Sequence, residues 1–159
     1  MVTKKMLEDL IKEAYNESSK GKRKGDKNIE VEKIREYILS AKNIIIPNRD
    51  GKKIETINKV LAEFNLPKAR GLKIHTNAAD LTRMPTITKA LMAVDTTDCD
   101  LAIARGRLGV PGSGSMLIIM DRKGRILSAA ISPPHVIHGK SLEKAVEEEL
   151  KTALKRIGL

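Results

Sequence analysis

Tryptophan is absent from this sequence of 159 residues, and two Tyr and one Phe make up its whole aromatic content, 2%. A single-stranded nucleic-acid surface stacks bases on aromatic rings, so this scarcity argues against a nucleic-acid binder of that kind. It also obliges the core to be built from Ile, Leu, Val, Ala and Met. Cysteine occurs once, at Cys99, which excludes an intramolecular disulfide framework and a cysteine-based zinc site. No apolar run approaches the ~20 residues of a membrane-spanning helix. The lysine-rich N-terminus lacks the apolar core of a signal peptide, so a cytoplasmic protein without a membrane partner is expected. Acidic side chains are in deficit: Lys and Arg number 30 against 20 Asp and Glu, a formal charge of +10. That excess favours an anionic partner, a nucleotide polyphosphate or a nucleic acid.

The length fits one α/β nucleotide-binding domain over residues 1–159, with N-terminal helices in 1–41 and a basic loop over 20–28. Met6, Leu7, Leu10, Ile11 and Ala14 recur at helical spacing and predict an amphipathic helix over about residues 3–18. After the basic loop, Val31, Ile34, Ile38 and Leu39 mark a second helix ending near Ala41. Ile44-Ile45-Ile46 then reads as a strand closed by Pro47. A polar turn, Asn48 to Lys53, leads to a helix with Ile54, Ile57, Leu61 and Phe64 on one face. The spacing predicts strands over Leu72 to His75, Leu101 to Ala104, Met116 to Met120 and Ile126 to Ile131. The last two flank a hairpin turn at Asp121-Arg122-Lys123-Gly124. Pro85 suits the first turn of a helix through about Val94, and Ser141 caps a final amphipathic helix.

Helices alternating with short apolar strands predict a three-layer α/β architecture, a mixed and mostly parallel sheet flanked by helices. Ligands of such folds bind beyond the carboxyl ends of the strands. Asn48 to Lys53, Thr76 to Arg83 and Arg105 to Ser115 all fall at such ends. The third segment has four glycines and a proline, with two arginines and two serines as donors. Glycine lets backbone N–H groups approach a phosphate closely. Arg105 and Arg107 alternate along an extended segment, so both could turn to one ligand and grip phosphate bidentately. Lys52 or Lys53 could neutralise a β- or γ-phosphate, and Lys52 with the two arginines forms the candidate catalytic set. Asn48, Arg49, Lys53, Thr76, Asn77, Gly112, Ser113, Gly114, Ser115, His135 and His138 are candidate nucleotide-binding residues. A solvated turn, surface arginines and Asn48 as a helix cap are the plainer alternatives. Asp98 and Asp100 are candidate ligands for Mg²⁺, which takes one or two carboxylates. Ordinary turn aspartates are the alternative there.

Two resemblances bear on these residues. Ile44 to Glu55 is similar to the opening of the inosine-triphosphate-pyrophosphatase-like proteins, in which an Asn-x-x-Lys turn binds triphosphate; here the lysine comes one residue late, at Lys52. His138-Gly139-Lys140-Ser141-Leu142 resembles that family's C-terminal motif, without its arginine. Nearly the whole chain resembles the HcgB family of methanogens, through the Arg105 to Ser115 loop, the flanking Asp100-Leu101-Ala102-Ile103-Ala104 and Ser132-Pro133-Pro134-His135. That resemblance implies an ITPase/Maf-like fold, a homodimer, and transfer of GMP from GTP to a pyridinol in making the FeGP cofactor of [Fe]-hydrogenase. An NTP pyrophosphatase and a non-catalytic nucleotide- or RNA-binding protein are the competing readings.

Overall fold

The computed structural model describes residues 6–74, 79, 82–133 and 139–159. Helix α1 spans Leu7–Ser19 and α2 spans Asn28–Ser40. The basic run between them is stitched to its neighbours. Arg23 donates to both carboxylate oxygens of Glu30, at 2.7 and 2.6 Å, and Lys27 Nζ donates to Glu17 at 2.6 Å. Part of the positive charge in this run is therefore matched within the chain.

Strand β1 (Ile44–Ile46) runs into α3 (Gly51–Glu63), and β2 (Arg70–Gly71) follows. Helix α4 (Pro85–Thr96) precedes β3 (Leu101–Arg107), which is followed by β4 (Ser115–Asp121), β5 (Ile126–Ser132) and the closing helix α5 (Leu142–Lys155). Pro85 occupies the first turn of α4, and Ser141 Oγ caps α5 by accepting from Lys144 N, both as the sequence indicates.

The five strands lie in the order β2-β1-β3-β4-β5. Strand β1 is parallel to both β2 and β3, whereas β3, β4 and β5 are antiparallel neighbours. The sheet is thus mixed, as expected, but not mostly parallel. The correction follows from the connections: the short links 108–114 and 122–125 can join only antiparallel strands, while parallel pairs need a crossover helix. Strand β2 also begins before the expected Leu72 to His75, of which His75 lies outside the described residues. Pairing with β1 reaches Ile46↔Gly71, and Leu72 N adds one bond to the Ile46 carbonyl at 2.8 Å. Beyond Ile46 the chain carries Pro47, which has no N–H to extend a ladder.

The helices lie on both faces of the sheet. Ile44, Ile46, Leu101, Ile103, Leu117 and Ile119 pack with residues of α2, α3 and α5. On the opposite face, Ile45, Ala102, Ala104, Ile118 and Met120 pack against Ala90 and Ala93 of α4. Successive strand residues therefore enter different cores, which is why these strands read as continuous apolar runs. Burying one such isoleucine is worth about 2–3 kcal/mol. The carboxyl ends of β1, β2, β3 and β5 share one edge, and α3, α4 and α5 follow from it. Strand β3 runs on to Arg107, so the β3–β4 hairpin projects past the end of β1.

Candidate functional site

At the start of α3, Asn48 Oδ1 accepts from Asp50 N at 2.8 Å, and Asp50 Oδ1 accepts from Lys52 N at 2.9 Å. Asp50, not Asn48, is the N-cap, so this helix start already has a carboxylate of its own. Arg49 and Lys52 are exposed beside it, and Lys53 is half-buried.

The glycine-rich segment is shorter as a loop than its composition suggests. Arg105 pairs with Leu117 and Arg107 with Ser115, so both arginines belong to β3 and only 108–114 form the loop. Gly112 and Gly114 adopt positive φ, 85° and 122°. A Cβ on Gly114 would run into the Ser132 carbonyl, so β5 closes against the hairpin only because that position has no side chain. Ser113 Oγ is turned back onto the Val110 carbonyl at 2.6 Å.

The two arginines turn to different neighbours. Arg105 lies against α5, where Nε and Nη2 donate to the two oxygens of Glu149 at 2.8 and 3.2 Å. Arg107 donates instead to the carbonyls of Gly109 at 2.7 Å and Thr82 at 3.3 Å. The alternation that would aim both at one ligand is overridden at Arg107, which donates to the Thr82 carbonyl and lines the cavity on the α4 side.

Arg107 forms one wall of a cavity of about 160 Å³ between the start of α4 and the hairpin. Met84, Ile87, Leu108 and Met116 line it with apolar surface, and Arg83 and Arg107 supply the charge. Gly106 allows the close approach, since a Cβ there would sit 2.8 Å from Thr86 Oγ1. Among the described residues α3 and α5 have side-chain caps, from Asp50 and Ser141, and α4 has none. The first turn of α4 lies beside two guanidiniums, whose charge favours an anion. Residue spacing alone does not mark Met84, Thr86, Ile87, Leu108 and Met116 as cavity residues. The available signal was the Arg83-Met84-Pro85 run, a cation immediately before a helix start.

Asp98 and Asp100 precede β3 and so lie at the opposite edge of the sheet, about 20 Å along the strand from Arg107. They are not brought to the hairpin or to the α3 turn. Asp100 instead joins β1 to β3: its carboxylate accepts from Lys42 N at 2.8 Å, Asn43 N at 2.9 Å and Arg122. Burial works against its charge, but those two N–H groups and Arg122 outweigh it and hold the carboxyl below its ordinary pKa. Among the described residues, no three His, Cys, Asp or Glu side chains gather to hold a metal. Thr76, Asn77, His135 and His138 lie outside the described residues.

No helix among the described residues is long and apolar enough to cross a membrane. Residues 7–159 match the family model described as "FeGP cofactor biosynthesis protein HcgB, guanylyltransferase". The match takes in every element of the sheet and its helices, and the chain belongs to the HcgB family of guanylyltransferases.

Proposed function

We propose that this protein joins GMP, taken from GTP, to the hydroxyl of a pyridinol, with pyrophosphate released. The observation that carries the reading is the cavity at the start of α4, where Arg83 and Arg107 meet apolar walls in a chain of a guanylyltransferase family. At about 160 Å³ it is smaller than the roughly 300 Å³ or more of a typical whole-ligand site. It suits one ring or a phosphate group rather than an entire nucleotide. The rest of GTP would extend along the same edge, toward Asn48, Arg49, Lys52 and Lys53 and the backbone of Gly112 to Ser115.

In the transfer, the pyridinol oxygen forms a bond to the α-phosphorus while the bond from that phosphorus to the bridging oxygen breaks. The hydroxyl proton is lost to solvent, and the leaving pyrophosphate carries away negative charge. Such a reaction needs positioning and charge neutralisation above all. Arg107 and Arg83 are the groups placed to supply that at the cavity, with Lys52 from α3. Arg105, engaged with Glu149, acts from behind the strand. Among the described residues no cluster of three metal-ligating side chains lies at this edge, and Mg²⁺ would come with GTP and help neutralise its phosphate charge. The family resemblance supports a homodimer.

The test is pyrophosphate release from each of the four NTPs with Mg²⁺, with and without a hydroxypyridine acceptor. Release from GTP only when acceptor is present is the expected result. Release without acceptor, accompanied by free NMP, would establish an NTP pyrophosphatase instead. No release from any NTP would leave a nucleotide- or RNA-binding protein.

A further inference from the structure

On the α5 side of the sheet, opposite the cavity, the carboxylate of Glu149 is almost sealed from solvent, its side chain 1% exposed. It accepts four hydrogen bonds from three adjacent strands. Two come from Arg105 of β3, one from Ser115 Oγ of β4 at 2.6 Å, and one from Ser132 Oγ of β5. The cluster closes on itself as well: Arg105 Nη2 also donates to Ser115 Oγ at 2.8 Å, and the two serine hydroxyls lie 3.1 Å apart.

We infer that Glu149 is a positioning residue for the cavity on the other face. The three strand residues it holds lie at or within two residues of the ends of β3, β4 and β5 that border the loop 108–114 and the close of β5. Arg105 is two residues from Arg107, and Ser115 is next to Met116, and both Arg107 and Met116 line the cavity. Ser132 stands in register with Ser115, and its carbonyl is the atom against which Gly114 is packed. Fixing the three strand ends therefore fixes the wall that faces α4.

A stabilising role alone does not account for the arrangement. A buried ion pair is commonly no better for stability than apolar side chains of the same volume, because desolvation offsets the attraction. What this carboxylate adds is a defined geometry, since it accepts at once from donors on three different strands. A substitution at Ser115 or Ser132 removes one donor and leaves the arginine pair in place.

This inference rests on the proposed transfer only for its kinetic readout, and a second readout stands apart from it. Ser115→Ala and Ser132→Ala are compared with Ser115→Thr and Ser132→Thr, which keep the hydroxyl. Glu149→Gln is added if it folds. The alanine variants are expected to lose about tenfold in kcat/KM for adduct formation at temperatures where they are fully folded, with the threonine variants largely restored. Independently of activity, amide exchange at Leu108 and Ser113 is expected to accelerate in the alanine variants, because their bonds to Gly114 O and Val110 O close the loop. Exchange at Ile103 and Ile119, in mid-strand, should stay as in the wild type. Unchanged exchange at Leu108 and Ser113 would overturn the inference whether or not the wild type makes adduct. Unchanged kinetics in folded alanine variants of an active enzyme would overturn it too. A wild type that makes no adduct refutes the proposed transfer, and the exchange data then decide the positioning role alone.

Discussion

Arg107 Nη2 donates to the Thr82 carbonyl at 3.3 Å, tying the end of β3 to the segment that precedes α4. With the second bond to the Gly109 carbonyl, this holds the guanidinium at the cavity rather than out in solvent. Arg107→Ala is therefore expected to raise the KM for GTP by about tenfold, the loss of one charge-assisted contact to phosphate. Steady-state kinetics on protein shown to be folded by circular dichroism would check this. A KM equal to that of the wild type would remove Arg107 from the nucleotide contacts.

Gly106 permits the contact between β3 and the first turn of α4. A Cβ at this position would meet Thr86 Oγ1 at 2.8 Å and Thr86 N at 3.3 Å. Gly106→Ala should therefore destabilise the fold by roughly 1–3 kcal/mol, the usual penalty for overpacking. It should also lower transfer activity in the molecules that remain folded, because the start of α4 must move. Urea unfolding combined with activity per folded molecule measures both effects. Wild-type stability would show that α4 gives way at no cost.

Much of this architecture can be read from residue spacing, because each core element has a strong period. The stripes Ile54-Ile57-Leu61 and Val146-Leu150-Ala153 mark α3 and α5, and the apolar runs mark β1, β3, β4 and β5. Strand β2 has only two residues and both are exposed, so no periodicity points to it. The polar end of β3 was hidden in a different way. Arg105-Gly106-Arg107 looks like loop, and its strand geometry comes from pairing with Ser115 to Leu117.

The site was only partly legible for a related reason. The edge of the sheet follows from strand order, and the hairpin and the α3 turn do share it. The Arg105–Glu149 pair joins residues 44 positions apart, and Glu149 reads in sequence as one more acidic residue on a surface helix. The aspartates illustrate the direction problem: Asp100 adjoins a strand, but at its beginning, which is the wrong edge.

Asp100 ties Lys42 and Asn43 to the start of β3, and its pKa lies below the ordinary value in the folded state. The stabilisation from its charged form is fully present above the unfolded pKa, close to pH 4, and is lost as pH falls through the lower folded value. Asp100→Asn should therefore be less stable than the wild type at neutral pH, with the two converging below about pH 4. Arg122, 60% exposed, adds little to the difference. Chemical denaturation from pH 7 down to pH 3 tests the sign. A gap that widens on acidification would contradict it.

The central claim places the transfer at the cavity between α4 and the hairpin. Leu108 lines that cavity from a loop position, so Leu108→Trp fills it without rebuilding a strand. The decisive measurement is the mass-spectrometric yield of GMP–pyridinol adduct from GTP and a hydroxypyridine acceptor, wild type against folded Leu108→Trp. The account predicts adduct from the wild type and a loss of at least about tenfold in the variant. Adduct formed by folded Leu108→Trp at the wild-type rate would contradict it.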